Sequence, residues 1–218
     1  MLRNIATMRY MFTRINMSPL ERRLFEITYN EKLIHLSSCL SALPIIEEIY
    51  AEKKEDEIFI LSNGHAGLAL YVVLEEKYGI DPVMLLHKHG IHPSKDLENK
   101  LFCSTGSLGS GLPIAVGRAL ADRTKNVYCM ISDGEAAEGS IWEALRFAHV
   151  AKLDNLKIYA NINGMSAYEY LDVDYLVQRL TTFLPTINIR ISDPPEWPFA
   201  KGLLTHYYPL KPEDYESL

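Results

Sequence analysis

Asp133 and Asn163 are the pair whose types and spacing most directly suggest chemistry. Each follows an apolar run, "NVYCMIS" (126–132) in one case and "NLKIYANI" (155–162) in the other. They stand 30 residues apart (163 minus 133), which is the length of one crossover helix plus one strand. Two adjacent parallel strands would therefore deliver both side chains to one sheet edge, where open α/β sheets bind ligands. A carboxylate, an amide oxygen and a nearby backbone carbonyl are the hard donors that Mg²⁺ or Ca²⁺ takes. Mg²⁺ usually completes its shell with substrate phosphates, so the pair points to a phosphate or diphosphate bridged to protein by a cation. Gly134 would let the backbone approach such a ligand closely. The stretch "ISDGEAAEGSIWEAL" (131–145) also carries Glu135, Glu138 and Glu143. Carboxylates suit a helix N-terminus, and a solvated helix start accounts for Glu135.

The elements that must position these residues alternate. Leu20, Leu24, Ile27, Leu33 and Ile34 return on one face, predicting a helix from Pro19 to about Ser37. Ser18, Pro19 and Glu21 form its N-cap, first position and capping-box partner. A second helix is expected over about Ser41 to Lys53, then a short buried strand at Glu57–Ser62. "NGHAGLALYVVLEEKYG" (63–79) supplies a turn and a helix ending at Gly79. A polar connection, His87 to Lys100, leads to "STGSLGSGLPIAVGRALADR" (104–123), a glycine-rich turn entering a helix. The runs before Asp133 and Asn163 are continuously apolar, as in parallel strands covered on both faces. Between them Ile141, Leu145 and Ala148 mark the crossover helix, with Trp142 and Leu145 in its core. A helix near Asp172–Phe183 and a strand "TINIRIS" (186–192) complete a doubly wound, mainly parallel α/β sheet flanked by helices.

At 218 residues, with 48% apolar and 23% charged residues, the chain has ordinary globular composition. Its 22 basic and 28 acidic residues leave a net charge of −6, which argues against nucleic-acid binding. No apolar run reaches the roughly 18 residues that span a bilayer. Cys39, Cys103 and Cys129 show neither metal-ligand spacing nor a disulfide framework, which reads as a reduced, cytoplasmic protein. Residues 1–17 hold three arginines and no acid. They read as an N-terminal extension, possible disorder included, ahead of a diphosphate-binding (PP) domain spanning 18–218.

The motif "SDGE…EG…WEA…A…LDNL…NING" resembles the thiamine-diphosphate motif of transketolases, with Ser132 in place of a common glycine. The resemblance implies that Asp133, Asn163 and the Met165 carbonyl ligate Mg²⁺ (or Ca²⁺), and that Gly134 approaches the cofactor diphosphate. "LSNGHAGLALY" (61–71) is similar to the segment whose histidine, here His65, reaches the diphosphate and substrate region. "STGSLGSGLPIAVG" (104–117) is similar to the segment whose backbone, at Gly106 and Leu108, approaches the aminopyrimidine. "IHLSSCLSALPIIEEIY" (34–50) places His35 at the substrate channel, although "HLSS" departs from the family's His-Pro-Gly or His-Ile-Gly. "GIHP" offers His92 for donor hydroxyls, and "HYYPLKPEDY" (206–215) offers His206 on the cofactor side. His87, His89 and His149 fall outside these motifs and read as structural. Glu138, and with it Glu143, is placed by the resemblance at the interface with a partner.

In this family a glutamate on a second, pyrimidine-binding domain activates thiamine diphosphate, and the last residues here, ending at Leu218, hold no second alternation. The resemblance therefore implies the N-terminal subunit of a split transketolase, inactive alone. It would pair with a C-terminal subunit carrying the pyrimidine domain, in an α₂β₂ assembly acting on small sugars or sugar phosphates. Only 42 residues separate Asn163 from His206, so the fold is expected to be shortened by one α–β unit on its C-terminal side. "DPPEWPF" (193–199) replaces the usual approach to the last histidine. Two other readings share these residues: an acyl transferase of specialised sugar biosynthesis using a 2-oxo acid such as pyruvate, and a non-catalytic cofactor-binding remnant.

Overall fold

The computed structural model describes residues 8–10, 17–166, 169–192 and 202–216. In chain order the elements are β1 (Met8–Tyr10), α1 (Pro19–Asn30), α2 (Leu36–Glu52), β2 (Ile58–Leu61), α3 (Gly67–Tyr78), α4 (Pro82–His89) and α5 (Gly111–Ala121). They continue with β3 (Val127–Ser132), α6 (Gly139–Val150), β4 (Leu156–Ile162), α7 (Val173–Phe183), β5 (Asn188–Ser192) and α8 (Pro212–Glu216). Single 3₁₀ turns occupy Gly64–Ala66, Gly134–Ala137 and Gly202–His206. The strands form one parallel sheet in the order β1-β5-β4-β3-β2, so the doubly wound reading holds.

Strand β3 is buried on every residue, and its alternate side chains enter opposite cores. Tyr128 and Met130 pack with α1, α2, α3 and α4, while Cys129 and Ile131 pack with α5, α6 and α7. This is the period of two expected of a covered parallel strand, and it explains the unbroken apolar run. Strand β4 divides in the same way, Tyr159 to one side and Ile158, Ala160 and Ile162 to the other.

Several boundaries follow their local signals. Ser18 and Glu21 form the capping box: the Glu21 amide donates to Ser18 Oγ at 3.1 Å and the Ser18 amide to Glu21 Oε2 at 2.6 Å. Other boundaries differ. The helix expected from Pro19 to Ser37 is broken, because Lys32 (φ +53°) and His35 (φ +66°) turn left-handed between α1 and α2. The second helix accordingly starts at Leu36 rather than Ser41. Apolar residues stay in phase across the break, so periodicity alone does not reveal it. Helix α4 lies partly inside the expected connection, and its Asp81 cap (Val83 amide to Asp81 Oδ1, 2.9 Å) with Pro82 behind it is a regular start. The segment before Ser18 contributes β1, a parallel edge strand beside β5. The departure at 193–199 lies outside the described residues.

Candidate active site: a histidine-lined cleft at the carboxyl ends of the strands

A cleft of about 390 Å³ opens beyond β2, β3 and β4, against the N-terminus of α2. It gathers His35, His65, His92, His206, Gly106, Leu108, Asp133, Gly134, Asn163 and Met165, the ten cofactor-side and catalytic candidates of the sequence. Glu138 and Glu143 lie outside it, both exposed on the turn into α6 and on α6 itself. His87 and His89 are tied elsewhere, to Glu31 at 2.9 Å and Asp96 at 3.1 Å, and His149 is exposed.

Asp133 ends β3 and is only 3% exposed. Its Oδ2 accepts the amides of Asn163 and Gly164, both at 2.8 Å, and its Oδ1 accepts the Gly134 amide at 2.9 Å. The carboxylate thus binds the end of β4 to the end of β3. Burial pushes its pKa up to about 6, against the pull of the Asn163, Gly164 and Gly134 amides. Asn163 Oδ1 accepts the Met165 amide at 2.9 Å, which folds the turn so that the residues of the proposed donor set stand together.

The four histidines converge from separate segments. His35 caps α2 in a left-handed conformation, and its amide donates to the His206 carbonyl at 2.7 Å. Its ring centroid lies 5.5 Å from that of His65, 6.4 Å from His206 and 5.5 Å from Tyr207. His206 Nδ1 lies 3.0 Å from the buried Ser37 hydroxyl. His65 rides on the 3₁₀ turn after β2, and the His92 ring lies against Gly106, 3.1 Å from where a Cβ there would stand.

Burial, then the neighbouring His35, His206 and His92, pushes the His65 imidazole down to about 3. His35 is lowered by burial and then by His206 and His92, and His206 by burial. These rings are neutral at pH 7 and can accept or donate one proton each. A sign follows for stability. The unfolded ring of His65 protonates as pH falls through about 6.5, while the folded ring stays neutral to about 3, so the unfolded state binds the extra proton. Stability is full above that range and is lost below it, by about 1.4 kcal/mol between pH 7.5 and 5.5 for this ring. His65→Gln is expected to lose that much less unfolding free energy across the interval in urea titrations. Equal losses would place a proton on the folded ring.

Residues that the sequence reading passed over complete the wall. Asn63 (1% exposed) has neither amide atom paired, and Asn161 (2%) has an unpaired Oδ1. The Asn161 orientation is set from behind: Ser41 donates to the Ser38 carbonyl at 3.1 Å, so Ser41 must accept the Asn161 amide at 3.0 Å. Ser132 Oγ and His35 Nδ1 are also buried without a partner. Unpaired buried groups cost about 1–3 kcal/mol each, and here they ring one cleft. The one available signal was strand parity, since Asn161 stands two residues before Asn163 on the same face. Glu135 corrects an expectation: it is fully buried, not a solvated helix start, and accepts bonds from Ser62, Gly109 and Ser132.

The site fits a metal–diphosphate ligand. No lysine or arginine lines the cleft among the described residues, so a diphosphate there needs a cation to neutralise it. No cluster of three His, Cys, Asp or Glu side chains is arranged for a metal among those residues. That agrees with a donor set of one carboxylate, one amide and one carbonyl completed by phosphate oxygens. A Cβ on Gly134 would meet nothing nearer than 3.8 Å, which leaves its backbone open to the cleft.

The family model for the transketolase thiamine diphosphate binding domain matches residues 49–173. Transketolases of Pongo abelii and Homo sapiens are each 36% identical over 151 residues, covering 60% of this chain and 24% of theirs. The chain thus spans about a quarter of the length of those curated relatives. One of the named subunits of the apulose-4-phosphate transketolase of Phocaeicola vulgatus is 32% identical over 187 residues, covering 74% of this chain and 66% of that one. Among solved structures, the transketolase of Leishmania mexicana superposes with a TM-score of 0.61 at 19% identity, over 82% of this chain and 37% of that one. The Campylobacter jejuni transketolase gives 0.60 at 18%, over 82% and 38%. At those identities the superpositions speak for the fold.

Proposed function

Because this chain belongs to the transketolase thiamine diphosphate binding domain family, we propose that it is the cofactor-holding subunit of a two-chain transketolase. With a partner supplying a pyrimidine-binding domain and an activating glutamate, in an α₂β₂ assembly, it transfers a two-carbon ketol unit from a ketose to an aldehyde or aldose. The observation that carries this is the cleft itself, in which four histidines, His35, His65, His92 and His206, face the Asp133–Asn163 carboxylate–amide turn.

Asp133, Asn163 and the Met165 carbonyl hold Mg²⁺ or Ca²⁺, and the Gly134 backbone approaches the diphosphate. When bound, thiamine diphosphate supplies the nucleophilic carbon for attack on a carbonyl and the sink for the resulting charge. His65, His92, His35 and His206 orient hydroxyls and move protons at the open side of the cleft. Gly106 and Leu108 contact the ring end of the cofactor.

One observation supports the split. The Phocaeicola vulgatus relative, matched over 66% of its length, is itself one chain of a transketolase named by its subunits. Glu138 and Glu143 lie exposed, Glu138 on the turn into α6 and Glu143 on α6, and serve the partner interface. The cysteines, free among the described residues, suit a reducing cytoplasm. No described helix is long and apolar enough to cross a membrane.

Calorimetry should show weak thiamine diphosphate binding that requires Mg²⁺ or Ca²⁺. Transfer from a ketose phosphate should appear only when the pyrimidine-domain partner is added. Turnover by this chain alone defeats the split, and cation-independent binding defeats the metal assignment.

A further inference from the structure

Of the four carboxylates in the acidic stretch, Glu135 alone faces neither solvent nor cleft. It has 0% exposure. Its Oε1 accepts the Ser62 hydroxyl at 2.6 Å and the Gly109 amide at 2.9 Å, and its Oε2 accepts the Ser132 amide at 3.1 Å. Each donor adjoins the wall of the cleft: Ser62 precedes Asn63, Gly109 follows Leu108, and Ser132 precedes Asp133.

The Gly109 peptide is gripped on both sides. Its amide is held by Glu135, and its carbonyl accepts the Ser140 hydroxyl at 2.8 Å. Gly109 sits at φ +79°, and a Cβ there would stand 2.5 Å from Ser140 Oγ and 2.6 Å from the Glu138 Cβ. The glycine-rich loop is therefore seated directly on the turn that follows Asp133. Burial raises the Glu135 pKa above its ordinary value, against the pull of Ser62, Gly109 and Ser132, and leaving those three buried donors unpaired is costly.

We infer that Glu135 is a positioning residue that sets the height of the Gly106–Leu108 segment relative to Asp133, and so the spacing between the two ends of the cleft. This rests on the reading of the cleft as a thiamine diphosphate site. A ligand that engages both ends feels the spacing. Inorganic pyrophosphate, which engages only the Asp133 end, does not.

The test titrates the full chain with Mg²⁺–thiamine diphosphate and with Mg²⁺–pyrophosphate. Glu135→Ala is expected to weaken the first by about tenfold or more (about 1.4 kcal/mol) and to leave the second within about twofold. Glu135→Gln should restore part of the difference, because one amide oxygen can still accept both Ser62 and Gly109 while the Ser132 amide loses its acceptor. Ser140→Ala, which frees only the Gly109 carbonyl, should show the same selective loss in a smaller degree, and it carries the test if Glu135→Ala folds poorly. Equal losses for both ligands, or no loss for either, overturn the proposal. So does a wild-type chain that binds thiamine diphosphate no more tightly than pyrophosphate. A wild-type chain that binds neither overturns the cofactor reading itself.

Discussion

Asp133→Ala and Asp133→Asn are both expected to abolish cation-dependent thiamine diphosphate binding, and to differ from each other in stability. Either change removes the only carboxylate in the proposed donor set, and among the described residues no lysine or arginine lines the cleft to hold a diphosphate in its place. A loss of at least about a hundredfold in affinity is expected, in line with removal of one charged partner from a buried pair. From its type and spacing alone, Asp133 is a metal-ligand candidate. The structure shows three amides, those of Gly134, Asn163 and Gly164, resting on its two oxygens at a buried position. Alanine leaves all three without an acceptor, at about 1–3 kcal/mol for each that water does not reach. Asparagine retains an acceptor and removes a buried charge. The asparagine variant, whose single amide oxygen leaves at least one of the three donors unpaired, should therefore unfold at a urea concentration between those of the alanine variant and wild type. Wild-type affinity in either variant would sink the metal assignment.

Gly67→Ala should be the most damaging small substitution near the site. Gly67 opens α3, and a Cβ there would stand 2.3 Å from the Ile91 carbonyl oxygen and 2.9 Å from Pro93 Cδ. The obstacle is backbone, so the loop must move rather than a side-chain tip. That loop carries His92, whose ring lies against Gly106. A loss of about 2–3 kcal/mol is expected, in the range for overpacked interiors, together with reduced transfer by the assembled enzyme. Gly117→Ala is the control. Gly117 lies exposed within α5 with nothing within 4 Å of its Cβ position, and alanine there should stabilise by about 0.5–1 kcal/mol. If Gly67→Ala proves neutral in urea unfolding, the close seating of α3 on the His92 loop is wrong.

Both predictions separate what short stretches of sequence reveal from what needs the folded chain. The parallel sheet was legible because β3 and β4 are covered on both faces, which forces apolar side chains at every position. The ten residues that line the cleft were legible chiefly because short glycine- and histidine-containing segments resemble transketolase motifs, and Asp133 and Asn163 also through their spacing. The start of α1 was legible because a capping box spans only three residues.

The break between α1 and α2 was not. It combines the left-handed turn at Lys32, where the Leu33 amide reaches back to the Thr28 carbonyl, with His35, whose amide donates to the His206 carbonyl 171 residues away (206 minus 35). Glu135 looked like one more solvated acid in an acidic turn, and nothing in its neighbours says otherwise. It is buried because Ser62, 73 residues away, and Gly109, 26 residues away, close over it as β2, β3 and the glycine-rich loop meet. Asn63 and Asn161 were unremarked for the same reason, since an amide becomes a ligand-facing group only when its neighbours leave it unpaired. The sequence by itself determined the layers, the strand edge that carries the site and the chemical types gathered there, because these depend on spacing and side-chain chemistry. Tertiary structure alone decided that Glu135 is buried and holds the glycine-rich loop, because burial and hydrogen-bond partners are set by segments distant in the chain.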